Sequence, residues 1–165
     1  MKVLNKQPNS AFCIVCGLRN SLGLKAAFYE TDDNQVVSLF TPHHEHQGYP
    51  GRLHGGIAGS ILDETIGRAI MITDKEVWGV TLELAVQFKK PVPLDVELRV
   101  VGRITSMGER IFEGTGEIRL PDGEIAVMGQ GKYMKLPLSK ITSVDFEAEQ
   151  WEVFPSENDP AEIEL

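Results

Sequence analysis

Residues 51–70 read Gly-Arg-Leu-His-Gly-Gly-Ile-Ala-Gly-Ser-Ile-Leu-Asp-Glu-Thr-Ile-Gly-Arg-Ala-Ile and form the one long segment with helical periodicity. Side chains suited to a protein core recur on one broad face of this helix, at Ile57, Ala58, Ile61, Leu62, Thr65, Ile66, Ala69 and Ile70. A second face carries small residues, at Gly56, Gly59, Ser60 and Gly67. Glycine inside a helix costs about 1 kcal/mol relative to alanine, so this face predicts close packing or a nearby ligand. The segment is therefore predicted to be a deeply buried helix.

Asp63 lies among the small residues of this helix. A buried carboxylate is costly unless it is hydrogen-bonded or paired, so its presence needs a reason. It is either a satisfied acid at an interface or a group that carries out chemistry, because catalytic residues are often titratable side chains in such surroundings. Asp63 is the first candidate for a catalytic residue.

The chain has 165 residues, a length typical of one domain, and its net charge of −8 is unevenly distributed. Residues 139–165 carry eight acids and one base, whereas the rest of the chain carries 16 acids and 15 bases. We therefore predict one domain over residues 1–138 and a partly ordered acidic extension over residues 139–165. Nucleic acid is not an expected partner, but the nearly neutral domain can still present a local basic patch to a small anionic ligand.

No apolar run reaches the length of a membrane span, and the short apolar run at residues 11–18 lacks a small-residue cleavage site. We therefore expect neither membrane association nor a signal peptide. Only two cysteines are present, so a disulfide framework is not expected. These features together predict a cytoplasmic protein.

The two cysteines form the motif Cys13-Ile-Val-Cys16-Gly17. It could serve a redox reaction, hold half of a zinc site, or be a turn with buried thiols closed by Gly17. Zinc needs two further ligands, and the candidates are His43, His44, His46 and His54. No second motif of this kind is present in the sequence. The structural turn is the favoured interpretation, so neither a metal nor another cofactor is predicted.

Outside the helix the pattern is that of β-strands, after a loose lead-in at residues 1–10. A hairpin is predicted first, followed after the helix by four long antiparallel strands, at residues 24–31, 35–41, 77–90, 94–104, 109–120 and 124–136. In the strand 77–90, strict alternation places Leu82 on the buried apolar face and Thr81 on the opposite face. A large sheet with one long helix predicts an α+β fold in which the sheet curls around the helix. Trp151, Val153 and Phe154 are expected to dock on the domain, and residues 155–165 to be a poorly ordered tail.

Several motifs carry a resemblance to a known family: Cys13-x-x-Cys16-Gly17, His46-Gln47-Gly48-x-Pro50-Gly51, His54-Gly55-Gly56, Leu62-Asp63-Glu64, Thr81-Leu82-x-Leu84 and Phe88-Lys89-Lys90-Pro91. Over residues 13–136 the sequence resembles the hotdog-fold acyl-CoA thioesterases, in the branch of the phenylacetate-pathway thioesterase and the human thioesterase-superfamily proteins. The resemblance implies a single hotdog domain, a long curved antiparallel sheet around one central helix. It also implies a homodimer with the active site between subunits, possible further pairing into a dimer of dimers, and no cofactor.

The resemblance also implies roles for three residues. Asp63 would act as general base or as nucleophile, the Gly55 backbone N–H would contact the oxyanion, and Thr81 would hold the water or the carboxylate. The role of Gly55 is physically sound, because the first turn of a helix leaves N–H groups unpaired and carries partial positive charge. From its place on the strand, Thr81 could reach a site in a partner subunit or be an ordinary strand residue.

Substrate-binding positions follow from the same motifs. Gln47, His54, Gly56 and Glu64 match the rim of the site, although a capping role for His54 is an alternative and Glu64 points about 100° away from Asp63. Some relatives carry an asparagine before the His-Gly-Gly motif, where this chain has Gly48, so Gln47 or His46 would have to orient the carbonyl. Arg52, Lys89 and Lys90 are candidates to contact the phosphates of coenzyme A, or are solvated surface charges.

The resulting hypothesis is hydrolysis of an acyl-CoA thioester to free acid and CoA. A noncatalytic acyl-CoA sensor or scaffold of the same fold is the main alternative. An enoyl-CoA hydratase would need a histidine five residues after the acid, where this chain has Arg68. The sequence does not specify the acyl group of the substrate, because Ile57, Ile61 and Met71 could line a pocket or belong to the core.

Overall fold

The computed structural model describes residues 1–143 and 151–165 of the chain. Its regular elements are β1 (Val3–Lys6), β2 (Ala27–Thr31), β3 (Val36–Phe40), α1 (Gly55–Arg68), β4 (Val77–Phe88), β5 (Leu98–Met107), β6 (Ile111–Arg119) and β7 (Ile125–Pro137). Short 3-10 turns lie at His44–His46, Ala69–Ile72 and Leu138–Lys140. No helix in the described ranges is long and apolar enough to cross a membrane.

The strands form one seven-stranded sheet in the order β1-β2-β3-β5-β6-β7-β4, and every neighbouring pair is antiparallel. Helix α1 packs against β3 to β7, so the sheet wraps around it. This arrangement confirms the predicted α+β architecture of a long antiparallel sheet around one central helix. Strand β4 pairs only with β7 and leaves its other edge unpaired among the described residues.

The core lies between α1 and the concave face of the sheet. Ile61, Leu62 and Ile66 on α1 are fully buried, as the apolar stripe predicted. The helix approaches the sheet so closely that a side chain at Gly102 on β5 would place its Cβ 2.5 Å from the Thr65 carbonyl oxygen. Glycine is therefore required at this position for the helix to seat.

The strand predicted at 94–104 begins later, at Leu98, and extends to Met107. The cause is local backbone geometry, because Asp95 adopts a positive φ of 57° and donates its N–H to the Pro42 carbonyl. A residue in the left-handed region interrupts a strand. The first residues of the predicted segment therefore form a loop, in which the Asp95 side chain pairs with His43.

Both ends of the chain are more structured than predicted. Residues 1–10 are not a loose lead-in, because Val3–Lys6 joins the sheet as β1. In the segment predicted to be poorly ordered, Ile163 is buried against Tyr29 and donates its N–H to the Met1 carbonyl. Asp159 accepts hydrogen bonds from Lys6 and Tyr29. The division into residues 1–138 and 139–165 stays a prediction, and its acids at 145, 147 and 149 lie outside the described residues.

Candidate active site

Asp63 is half-buried on the third turn of α1, where it faces β4 and β7. Thr81 on β4 donates from Oγ1 to both carboxylate oxygens, at 2.9 Å to Oδ1 and 3.1 Å to Oδ2. The Tyr133 phenol on β7 donates to Oδ1 at 3.2 Å and to the Asp63 carbonyl oxygen at 3.2 Å. Two hydroxyl groups from neighbouring strands therefore fix the carboxylate in one orientation.

Burial is the main influence on the ionisation of this carboxyl group and raises the pKa of Asp63. The hydrogen bonds from Thr81 and Tyr133 act in the opposite direction, and the nearby Glu64 charge adds to the increase. Burial and the Asp63 charge also raise the pKa of Tyr133, so the phenol keeps its proton and stays a donor. The result is a carboxylate that holds a proton more readily than a solvated one.

A β-bulge brings Thr81 to this site. The pairing of β4 with β7 runs from Thr81↔Tyr133 directly to Glu83↔Lys132, so Leu82 is the extra residue. The bulge reverses the alternation, and Leu82 is 44% exposed where the sequence predicted a buried face. The prediction that Thr81 faces away from the core was wrong for this reason. Thr81 contacts Asp63 of its own chain.

The first turn of α1 presents backbone donors. His54 is the N-cap, and its Nδ1 accepts the Gly56 N–H at 2.9 Å, which is the capping role that the sequence left open. The Gly55 N–H has no acceptor within residues 1–143 and 151–165. A Cβ at Gly55 would lie 3.3 Å from the Phe88 ring. Gly55 and Phe88 line the same groove, and a larger side chain at residue 55 would press against the ring.

The Gly55 N–H and the Asp63 carboxylate belong to different cavities of one chain. Eight residues separate them on α1, which corresponds to about 12 Å along the axis. Asp63 and Thr81 line a cavity of about 230 Å³, whose wall also includes Cys13, Met71, Trp78 and Trp151. Gly55 lines a separate groove with Tyr49, Arg52, Phe88, Lys89 and Lys90. The structure does not bring these two predicted catalytic groups together within one chain.

The other predicted binding residues divide between the groove and its surroundings. Lys89 and Lys90 lie in the groove, and Lys90 also pairs with Glu124. Gln47 supports the loop before α1, because its Oε1 accepts the Gly51 N–H at 3.1 Å and its Nε2 lies 3.2 Å from His44 Nδ1. Gln47 therefore holds the loop in place.

Glu64 lies on the wall of the Asp63 cavity but is held by other side chains. Its Oε1 accepts from Arg68 Nε at 3.0 Å and Nη2 at 2.7 Å, while Oε2 lies 3.2 Å from the Cys13 sulfur, which donates to it. Arg68 is itself buried and stacks over the rings of Phe28 and Trp151. Glu64 thus links α1 to the loop of the two cysteines.

The histidines proposed as partners for the cysteines lie elsewhere. The His46 ring bonds to the Leu22 carbonyl through Nε2, and His43 pairs with Asp95. Among the described residues, the group of ligand-type side chains that converges is Cys13, Cys16 and Glu64. The Cys16 thiol hydrogen-bonds to the Cys13 sulfur, which lowers the pKa of Cys13 and raises that of Cys16.

Sequence reasoning missed Tyr133 and the role of Trp151. The signal for Tyr133 was its place on the inward face of the last strand, because a buried phenol needs a hydrogen-bond partner. Trp151 packs edge-on against Trp78 at a centroid distance of 4.7 Å, and both rings line the Asp63 cavity. Its expected docking is observed, whereas Val153 is 47% exposed.

Comparison with known proteins shows which proteins this chain is similar to. The family model of the thioesterase superfamily matches residues 50–127, which include α1 and β4 to β6. Acyl-coenzyme A thioesterase THEM4 of Rattus norvegicus is 37% identical over 78 residues, which cover 47% of this chain and 33% of that protein. THEM4 of Bos taurus is 27% identical over 129 residues, which cover 77% of this chain and 52% of that protein. The chain thus spans a third to a half of THEM4.

A solved structure extends the likeness to the fold. The crystal structure of protein RHA08564, a thioesterase superfamily protein, is 30% identical to this chain with a TM-score of 0.68. The match covers 73% of this chain and 62% of that protein. The predicted hotdog fold is confirmed by this likeness.

Proposed function

We propose that this chain hydrolyses an acyl-CoA thioester to a carboxylic acid and CoA, because it matches the family model of the thioesterase superfamily over residues 50–127 and has the hotdog fold. The observation that carries the proposal is the Asp63 carboxylate, which Thr81 and Tyr133 orient on the wall of a cavity. A carboxylate with a raised pKa is a better proton acceptor than an ordinary aspartate. Water attack on a thioester needs such a base.

In the general-base form of the reaction, Asp63 takes a proton from the attacking water. Thr81 Oγ1 keeps the carboxylate aligned through its bonds to both oxygens. Negative charge develops on the thioester oxygen as water adds, and the unpaired Gly55 N–H is the donor suited to receive it. The carbonyl is thereby activated from one side while the nucleophile forms on the other.

In the nucleophilic form, Asp63 attacks the thioester carbon and expels the CoA thiolate, which leaves a mixed anhydride that water then hydrolyses. The same hydrogen bonds would orient the carboxylate oxygen for attack. In labelled water, a labelled oxygen in Asp63 would identify the anhydride route, because label enters Asp63 only when water attacks the Asp63 carboxyl carbon of the anhydride. Both forms need the same oxyanion donor.

The distance along α1 gives the reason for a homodimer. Two groups about 12 Å apart cannot act on one carbonyl, so the Gly55 of one protomer would serve the Asp63 of the other. The unpaired edge of β4 offers the surface for such pairing, because an exposed sheet edge can extend across a two-fold axis. Leu82 and Phe88 on β4 are 44% and 56% exposed, and pairing would cover them.

The groove beside Gly55 fits the CoA part of the substrate. Arg52, Lys89 and Lys90 supply positive charge there, and CoA carries several phosphates. Tyr49 adds exposed aromatic surface on which an adenine group can pack. The thioester carbon would then lie near the first turn of α1.

The test is hydrolysis of a panel of acyl-CoA esters of increasing chain length, measured as released thiol, with wild type and Asp63→Asn. We expect the substitution to lower kcat by at least about 100-fold, as the loss of a principal general base does. Asp74→Asn changes an exposed acid of the loop after α1 and is the matched control. Unchanged turnover in Asp63→Asn would overturn the proposal. Binding of acyl-CoA without hydrolysis of any ester would instead favour a noncatalytic sensor or scaffold.

A further inference from the structure

The loop that carries the two cysteines is held in one conformation by buried polar contacts. Asn9 donates through Nδ2 to the Cys16 carbonyl at 2.7 Å and to the Ala26 carbonyl at 2.9 Å. The Ser10 hydroxyl accepts the Cys13 N–H at 3.0 Å. At Gly17 a Cβ would lie 2.3 Å from the Cys13 carbonyl oxygen, so the turn is tight. The two sulfur atoms are therefore positioned before any ligand arrives.

The Cys13 sulfur accepts two backbone N–H groups, from Val15 at 3.3 Å and from Cys16 at 3.5 Å. Backbone N–H groups that point at a sulfur stabilise its thiolate form. A Cys-x-x-Cys turn with such bonds is a shape that can hold two thiolates on one cation. The turn thus supplies half of a tetrahedral site.

Glu64 supplies a third ligand atom that the sequence did not predict. Its carboxylate oxygen and the sulfur atoms of Cys13 and Cys16 lie within 4.8 Å of one another. Zinc–sulfur bonds of about 2.3 Å in a tetrahedron place two sulfur atoms about 3.8 Å apart, so only a small contraction is needed. We propose that Cys13, Cys16 and Glu64 bind one zinc ion, with the fourth position open to the cavity that Cys13 and Glu64 line.

The charges around the cluster favour a cation over a redox reaction. A carboxylate beside a thiolate repels it, which works against a redox nucleophile, whereas a divalent cation between them removes the repulsion. Two thiolates, one carboxylate and Zn²⁺ leave one net negative charge. The buried Arg68 guanidinium, which binds the other oxygen of Glu64, balances that charge. Thiolate ligands also select zinc over magnesium or calcium.

The sequence predicts a turn without a metal, because it contains no second Cys-x-x-Cys motif and offers only histidines as further ligands. Glu64 changes this expectation, because folding brings α1 against the cysteine loop. The ion would join the loop to α1 one residue after Asp63. This inference does not depend on the thioesterase reaction.

The experiment is titration of the reduced, chelator-treated full-length protein with Co²⁺, which reports thiolate ligation by a near-ultraviolet charge-transfer band. We expect a band that saturates at one ion per chain and disappears when Zn²⁺ is added. Cys16→Ser and Glu64→Gln should each weaken Co²⁺ binding by at least about tenfold, in line with the loss of a ligand. Glu76→Gln, which changes an exposed acid near β4, is the control and should bind as wild type does.

Three results would overturn the proposal. The first is no band in the folded wild-type protein, which needs no variant to interpret. The second is a band of unchanged affinity in Glu64→Gln, with the folded state of the variant checked by its thermal unfolding. The third is an intramolecular disulfide formed with oxidised glutathione in a protein whose reduced form binds no Co²⁺. That last result would assign the pair to redox chemistry.

Discussion

The first and third turns of α1 present functional groups in different ways. At the first turn, the Gly55 N–H is a backbone donor on an exposed glycine, and it depends on helix geometry alone. At the third turn, the Asp63 carboxylate is half-buried and depends on Thr81 and Tyr133 from two strands. The donor end is therefore defined by local sequence, whereas the acid end is defined by the packing of the sheet. The difference means that substitutions should affect the two ends by separate mechanisms.

Removal of the donor should have the largest effect. Gly55→Pro deletes the N–H, while proline is well tolerated at the first position of a helix and His54 before it is already extended. We expect kcat to fall by about 100-fold or more, as when an oxyanion donor is lost. Gly55→Ala keeps the N–H and is the control, since both variants place a Cβ near Phe88. Measurement is by thiol release, and equal losses in the two variants would contradict the role of the N–H.

The same variant tests whether the two ends meet across a dimer. When Gly55→Pro and Asp63→Asn protomers are mixed after reversible dissociation, half of the dimers carry one intact site. About a quarter of wild-type activity should return, by the symmetry of a two-fold dimer. No recovery in verified mixed dimers would mean that each site lies within one protomer.

The two ends also differ in how far sequence alone predicts them. The helix and the long strands follow from hydrophobic period, and the exposed His-Gly-Gly turn follows from helix geometry. The orientation of Thr81 could not be predicted from the sequence pattern. The extra residue at Leu82 reverses the alternation of β4, and nothing in the composition of the strand indicates this bulge. Tyr133 was missed because its contact with Asp63 joins residues 70 apart in the chain. Long-range contacts of this kind need the assembled sheet.

Removal of a hydrogen bond to Asp63 should lower activity by a smaller factor and should change the pH dependence of kcat/KM. Hydrogen bonds from Thr81 and Tyr133 stabilise the ionised form and lower the pKa of Asp63 against the effect of burial. Thr81→Val should therefore raise that pKa and move the acidic limb of the kcat/KM profile to higher pH. A hydrogen bond to a charged group contributes on the order of 1.5 kcal/mol. At pH values on the acidic limb, kcat/KM of Thr81→Val should therefore be about tenfold lower than that of wild type.

Thr81→Ser keeps the hydroxyl and is the control for this shift, while Tyr133→Phe should move the limb in the same direction as Thr81→Val. The measurement is a pH–rate profile for each variant with one good acyl-CoA substrate. An unchanged profile in both Thr81→Val and Tyr133→Phe would remove these residues from the support of Asp63.

Removal of a positive charge from the groove beside Gly55 should have a weaker effect on the reaction. Lys89 is exposed, so Lys89→Gln should raise KM for acyl-CoA by about threefold at low ionic strength, with kcat unchanged. The effect should diminish in high salt, because exposed charges are screened. Lys75→Gln, in the exposed loop before β4, is the matched control. An equal effect of both substitutions would point to overall charge, and a fall in kcat would contradict a binding role.

The Asp63 carboxylate should also lower the free energy of unfolding at neutral pH, an effect that the Gly55 N–H does not have. Burial raises the pKa of Asp63 in the folded state above its value in the unfolded chain, so the folded state binds its proton more tightly. Well below pH 4, which is about the ordinary pKa of aspartate, the group is protonated in both states and has no effect on stability. As the pH rises, the unfolded chain releases its proton first, and the free energy of unfolding falls until the folded group also ionises.

Asparagine cannot ionise, so Asp63→Asn should avoid this cost and unfold at a higher temperature than wild type at neutral pH. The measurement is Tm against pH for wild type and variant, and the gap should close as the pH falls towards 4. Asp74→Asn, an exposed acid, should show no such gap. A difference in Tm that does not change with pH would mean that the substitution acts through packing. The loss of activity and the gain in stability would then have separate origins.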